Sequence, residues 1–153
     1  MKKKKHQASG VVANKRAFFD YTISQPLVAG IALTGPEVRS IRSAHVSLVG
    51  AFVTVKDGEA WLLNAKVMPL KTNAAHLPSE MQIRTRKLLL KKRQIEDLIQ
   101  AKQQGYTIVP LKILTKGKFI KVEIALAKGK RMYDKRQVLK KRDSERDIAR
   151  LMK

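Results

Sequence analysis

The sequence predicts a small, mainly β protein of the α+β class: an OB-like closed β-barrel with two or three outer helices and a basic C-terminal tail. Three observations carry this expectation. Short alternating apolar runs recur along the chain, and one pair of them flanks an Asp-Gly dipeptide. Two segments, one short and one long, carry helix start and stop signals. The stretch from Lys128 to Lys153 is dense in cations and too poor in apolar residues to build a core face. Many short strands with helices outside fit closure of a sheet on itself, which removes exposed edges.

Taken in order, residues 1–16 hold Lys2 to Lys5, Lys15 and Arg16 with no acid, and read as a mobile basic arm, of which residues 1–10 stand outside the folded unit. AFFDYTI and LVAGIAL, within residues 17–33, read as two strands split by Ser24-Gln25-Pro26. Thr34 suits an N-cap, Pro36 a first helical turn and Glu37 the positive end of a helix dipole, so Gly35 to Arg42 reads as a helix. AFVTVKDGEAWLLNAKV is a hairpin around Asp57-Gly58, with Trp61, Leu63, Ala65 and Val67 on one face. Residues 68–83 contain two prolines and no period, and read as a loop.

RTRKLLLKKRQIEDLIQAKQQG reads as the longest helix, lined by Leu88, Ile95, Leu98 and Ile99 and closed by Gly105. YTIVPLKIL and KFIKVEIALA flank Thr115-Lys116-Gly117-Lys118 as a second hairpin, in which Ile120, Val122, Ile124 and Leu126 alternate with polar or small residues. The folded unit is thus expected over residues 11–130. The tail, residues 131–153, is expected to be disordered alone and to fold on a partner.

Composition narrows the function. Lys and Arg number 33 against 12 Asp and Glu, a net charge of +21. Self-repulsion of that size points to a polyanionic partner. The absence of cysteine excludes disulfides, thiolate zinc sites and cysteine nucleophiles, and fits a reducing, cytoplasmic setting. The start of the chain lacks the apolar run of a secretory signal, and no stretch is long and apolar enough to span a bilayer. His6, His45 and His76 are dispersed, without metal-ligand spacing, and no phosphate-loop, nucleophile-elbow or zinc-protease motif occurs. Neither an enzyme nor a metal or cofactor is expected.

Between Arg84 and Arg93 six of ten residues are basic and none is acidic. Together with the arm and the tail this makes three cation clusters without balancing acids, the pattern of phosphate-backbone contact. Helix-turn-helix, zinc-finger and basic-zipper signatures are missing, which favours folded RNA read by shape, phosphates and 2′-hydroxyls over duplex DNA. Aromatics make up only 5% of the chain, so general single-strand binding by stacking is disfavoured. The tail lacks the apolar face of a membrane-surface helix.

Several stretches then resemble one family. NKRAFFDYTI, AGIALTGPEVRSIR, TRKLLLKKRQI, GYTIVPLKI and ALAKGKRMYDKR are similar, in order and spacing from Val11 to Arg136, to small protein B, the SsrA-binding protein family of bacteria. The resemblance implies an OB-like barrel, no catalysis, and binding to the tRNA-like domain of transfer-messenger RNA (tmRNA, SsrA). It further implies delivery of that RNA to stalled ribosomes for trans-translation, which frees the ribosome and tags the nascent chain for degradation. The implied partners are tmRNA, the small-subunit rRNA and the elongation factor that carries aminoacyl-tmRNA, with the protein monomeric when bound. The tmRNA contacts expected on this basis are Asn14, Lys15, Arg16, Glu37, Arg84, Arg86, Lys87, Leu89, Lys91, Lys128 and Lys130. The tail expected in the ribosomal decoding region, partly as a helix, is carried by Tyr133, Asp134, Lys135, Arg136, Lys140, Lys141 and Arg142. Glu37 has a second reading as a helix cap, and Tyr133 one as packing at the barrel edge. The alternative function is that of a generic rRNA- or ribosome-binding protein.

The chain also departs from the family. Val28 stands where relatives often carry an RNA-contacting Glu, and Lys91 where a His or Asn usually follows RKLLL. SAHVSL replaces a Gly-Lys-small-Asn stretch after the first helix.

Overall fold

Asn14 decides how the chain begins. In the computed structural model, which describes residues 11–152, strand β1 (Val11–Ala13) leads into helix α1 (Lys15–Asp20), and Asn14 is the N-cap. Its Oδ1 accepts from the Ala17 N–H at 3.3 Å, while its Nδ2 donates to the carbonyls of Pro110 and Leu48 at 2.9 and 3.2 Å. That cap satisfies one of the orphan N–H groups of the first turn, and Ala17 is buried on the sheet below. The strand expected over AFFDYTI is therefore corrected: residues 17–20 are helical and extended structure starts at Tyr21. The mobile arm is likewise shortened, because residues 11–13 pair with 112–114; its part over residues 1–10 lies outside the described residues.

From Tyr21 the chain forms one strand, β2 (Tyr21–Ile31), where two were expected. It passes Pro26 because its register shifts between Ser24 and Leu27 and Gln25 takes a φ of 49°, so the residue without an N–H falls at a bulge. Helix α2 (Gly35–Arg42) follows as expected, with a capping box in which Thr34 N–H donates to Glu37 at 3.1 Å. Strands β3 (Val46–Ser47), β4 (Phe52–Lys56), β5 (Glu59–Leu63) and β6 (Lys66–Val67) come next. The β4–β5 turn is at Asp57-Gly58, both at positive φ, as the sequence predicts. The loop expected over residues 68–83 contains a 3₁₀ turn (Ala74–His76) and a four-residue helix, α3 (Ser79–Gln82). Asn73 pins it, donating to the Pro36 carbonyl and Ser40 hydroxyl at 3.0 Å each.

The long helix predicted from RTRKLLLKK is only partly present. Residues Arg86–Leu89 form strand β7, and helix α4 covers Lys92–Gln103. Leu88, expected on the helical stripe, is a buried strand residue, while Leu98 and Ala101 make the buried side of α4 and Ile99 is 36% exposed. Pairing of β7 between β5 and β2 overrides the good helix propensity of Lys, Leu and Arg. Strands β8 (Thr107–Leu114) and β9 (Lys121–Gly129) form the second hairpin, and helix α5 (Met132–Leu151) ends the described chain.

The seven-stranded antiparallel sheet has the order β1-β8-β4-β5-β7-β2-β9, and β9 also pairs with β8 along seven residue pairs. Leu62, Leu88, Ile108, Ile113, Val122 and Ile124 are among the side chains buried between its strands and the helices. A smaller cluster, Ala17 with Val109, Leu111, Ala125 and Ala127, seats α1 on β8 and β9. Helix α5 buries no residue. No described helix is long and apolar enough to cross a membrane.

Candidate nucleic-acid interface

The first cationic surface grows from the alternation of RTRKLLLK. With Arg86 and Leu88 turned inward, Lys87 and Leu89 face outward, and Leu89 is 56% exposed. Gly30 lies across from Leu89, and a Cβ built there would stand 3.1 Å from the Leu89 Cβ, so glycine permits this close strand approach. Val28, 46% exposed, lies on the same face of β2. Beside it opens a cleft of about 680 Å³ lined by Val28, Lys87, Leu89, Lys91 and Gln94 among others. Lys91 is exposed, whereas Lys87 donates to Glu59 at 2.7 Å. The surface therefore offers an apolar centre with cations around it, suited to a ribose or base edge flanked by phosphates.

Underneath lies Glu37, wholly buried. Arg84 reaches it through Nε and Nη2 at 2.6 and 2.8 Å, and Arg86 Nη2 donates at 3.2 Å. Burial on its own would push the Glu37 carboxyl up; the hydrogen bonds from Arg84 and the Thr34 N–H, with the charges of Arg86 and Arg84, outweigh it and hold the group below its ordinary value. The same hydrogen bond raises the Arg84 pKa further, and burial lowers that of Arg86. Arg86 also donates to the carbonyls of Ala65, Arg84, Met81 and Gln82. Three of the expected RNA contacts are corrected by this geometry. Asn14, Glu37 and Arg86 are all less than 5% exposed, and every hydrogen bond described above for their side chains runs to another residue of the chain, while Arg86 Nε is buried without a partner. Their side chains lie in the interior, beneath the cationic surface.

The second cationic surface forms at the far end of β2. Tyr21 pairs with Gly129, which brings Lys130 against the end of α1, the helix that carries Lys15 and Arg16, with Lys128 next to that pair on β9. Lys128 Nζ stands 4.5 Å from the centre of the Tyr106 ring. Lys130 donates from its backbone to Asp20 at 2.9 Å and from Nζ to the Phe18 carbonyl at 3.0 Å. From there α5 departs, tied by Lys135 to Asp20 at 3.4 Å and by Arg142 over the Phe19 ring at 5.6 Å. Asp20, which sequence reading missed, thus joins the tail to the sheet while pairing with Arg16 at 2.9 Å. Burial would raise its carboxyl, and the hydrogen bonds and charges of Arg16 and Lys135 hold it below its ordinary value instead. The i, i+4 spacing of Arg16 and Asp20 is its signal once residues 15–20 are known to be helical. Tyr133 is 68% exposed and accepts from Gln137 at 3.0 Å. Asp134, Arg136, Lys140, Lys141 and Arg142 are exposed on the same helix.

The expected contacts therefore fall into two groups. Lys15, Arg16, Lys128 and Lys130 sit where β2 begins; Arg84, Lys87, Leu89 and Lys91 sit where it ends. Nine residue steps separate Tyr21 from Gly30, up to about 30 Å at the rise of a strand. A ligand that touches both groups must be a large polyanion. Among the described residues no group of three or more His, Asp or Glu is placed to hold a metal ion.

Among the described residues, a large antiparallel sheet, five α-helices and cations set around exposed apolar side chains define a small basic α+β protein with a surface for RNA. The chain belongs to the SmpB protein family, whose family model matches residues 11–153. It is 48% identical over 153 residues to the SsrA-binding protein of Pseudomonas aeruginosa, covering 99% of this chain and 96% of the relative. The SsrA-binding protein of Streptococcus agalactiae is 46% identical over 150 residues, covering 97% and 96%. A chain in a solved structure of tmRNA-SmpB and the bacterial ribosome matches with a TM-score of 0.67 and 37% identity, over 86% of this chain and 95% of that one.

Proposed function

We propose that this protein binds the tRNA-like domain of tmRNA and carries it to stalled ribosomes, where trans-translation releases the ribosome and tags the nascent chain. The observation that carries the reading is the Leu89–Val28 surface with its surrounding cations, in a chain 48% identical along nearly its whole length to SsrA-binding proteins. The tmRNA contacts in this reading are Lys15, Arg16, Arg84, Lys87, Leu89, Lys91, Lys128 and Lys130, held in place by Asn14, Glu37 and Arg86. The pairing of β8 with both β4 and β9 supports an OB-like closed barrel as the body, over residues 11–130. Residues 131–153 act as the decoding-region tail, with Tyr133, Lys135, Arg136, Lys140, Lys141 and Arg142 toward rRNA and Asp134 in the first turn. The protein acts in the cytoplasm, without catalysis of its own, and meets the elongation factor through the shared RNA.

The test is a direct binding measurement with tmRNA and with a size-matched fragment of small-subunit rRNA. Preference for tmRNA by about 1,000-fold or more, reduced by Leu89→Ala, is expected from specific recognition on top of charge (about 4–10 kcal/mol separates specific from non-specific nucleic-acid binding in general). Equal affinity for both RNAs would leave only a general RNA binder.

A further inference from the structure

Among the described residues that precede α5, Phe119 is the most exposed large hydrophobic residue, at 69%. It is not on a loose end. Thr115 and Ile120, on either side of the β8–β9 turn, are buried. Arg42 at the end of α2 donates to the carbonyls of Thr115, Gly117 and Lys118 at 2.8, 3.1 and 3.2 Å, and Gly117 turns at a φ of 91°. The alternation that sends Ile120 and Val122 inward sends Phe119 and Lys121 outward. The turn is thus an ordered support that holds an aromatic ring in solvent.

Its surroundings are all of one sign. Lys116, Lys118 and Lys121 are exposed, no acid pairs with any of them among the described residues, and Lys118 Nζ lies 5.6 Å from the Phe119 ring centre. An aromatic face between unpaired cations is the arrangement that stacks on a nucleobase while holding the phosphates beside it. The register shows which nucleic acid is in reach. Gly30 pairs with Leu89 on one side and with Lys121 on the other. A single outward row, Leu89–Gly30–Lys121, therefore joins the Leu89 surface to the turn.

We propose that the β8–β9 turn is an additional tmRNA contact, in which Phe119 stacks on an unpaired base and Lys116, Lys118 and Lys121 hold the flanking phosphates. The base has to be unpaired, because a helical stem hides its faces. This inference rests on the tmRNA reading of the Leu89 surface, and its test separates the two.

Dissociation constants for tmRNA and for vacant ribosomes are measured with the full chain, Phe119→Ala, Phe119→Trp and Lys118→Gln. Phe119→Ala is expected to weaken tmRNA binding about 5- to 150-fold, the loss of one stacked base, without changing the salt dependence. Phe119→Trp keeps the affinity, and in a Trp61→Phe background its indole fluorescence is quenched on adding tmRNA. Lys118→Gln lowers the salt slope by roughly 0.7 to 0.9. An exposed ring contributes little to the core, so all variants should melt as the parent does. If the parent binds tmRNA and Phe119→Ala binds it equally, the inference is overturned while the tmRNA reading stands. A parent that fails to bind overturns both at their common base. Equal losses in Phe119→Ala and Phe119→Trp would exclude stacking, and a loss confined to ribosome binding would assign the turn to rRNA and overturn the proposal.

Discussion

Arg86 and Glu37 meet at 3.2 Å in the interior, each without solvent-exposed surface. The contact joins α2 to β7, and Arg84, on the same carboxylate, is carried to the surface beside it. A charge buried with its partner is tolerable; left alone, it is not. Glu37→Gln should therefore lower unfolding stability by about 3–5 kcal/mol, read as a shifted urea midpoint. A loss below 1 kcal/mol would mean that the carbonyls around Arg86 suffice to hold it.

Acid should act through the same residue. Glu37 sits below its ordinary value of 4.5 in the folded protein, and Asp20 below 3.8. The unfolded chain then binds more protons than the folded one as the pH falls through these values, so the stabilisation is complete above them and lost below. Urea midpoints taken from neutral pH downward should stay level and then decline as the pH falls below about 4.5, toward the folded-state values. Glu37→Gln should flatten much of that decline, and an unchanged profile would refute the assignment.

Ionic strength tests the cationic surfaces. With about six to eight phosphates neutralised, log K for tmRNA should fall against log salt with a slope of roughly −4 to −7. A slope near zero would remove the reading of Lys15, Arg16, Lys128 and their neighbours as backbone contacts.

Val28 stands directly across from Glu123 in the β2–β9 ladder, and Glu123 pairs with Lys112 at 3.3 Å. Val28→Glu sets two carboxylates opposite each other, which should cost about 0.2–1 kcal/mol in stability. It should also change tmRNA affinity, since Val28 shares the face of Leu89. A melting curve and a titration check both, and an unaltered affinity would move the RNA away from this face.

The tail should be separable from the body. Helix α5 buries nothing, and among the described residues Lys135 and Arg142 tie it to α1 by charge. A chain stopped after Lys130 should keep its stability to within about 1 kcal/mol, as expected for the loss of a solvent-reached ion pair. It should retain most of its tmRNA affinity and lose tagging on stalled ribosomes. Tyr133→Ala should weaken the tail's hold by about 1–3 kcal/mol if the ring stacks on a base. Full tagging by the shortened chain would show that the tail is not the decoding element.

Much of this was legible in the residues themselves. Period-two alternation in FVTVK and KVEIALA places each strand's buried face, because a strand's side chains point to opposite sides whatever it pairs with; in EAWLL the structure buries Ala60 and Leu62 and leaves Trp61 and Leu63, expected on one face with Ala65 and Val67, half-buried on the other side. Asp57-Gly58 and Thr34 with Glu37 act within a few residues of chain, so turn and cap could be read locally. Net charge is a sum over the sequence and needs no fold. RTRKLLLKK was different. Three leucines in a row satisfy either period, and only pairing with β5 and β2 made Arg86 an interior residue and Leu89 a surface one. The capping bonds of Asn14 reach Leu48 and Pro110, and Asp20 meets Lys135 across more than a hundred residues of chain. Such partners are chosen by packing, so which cations face RNA and which are locked inside was decided in three dimensions, where burial makes an unpaired charge too costly to leave in place.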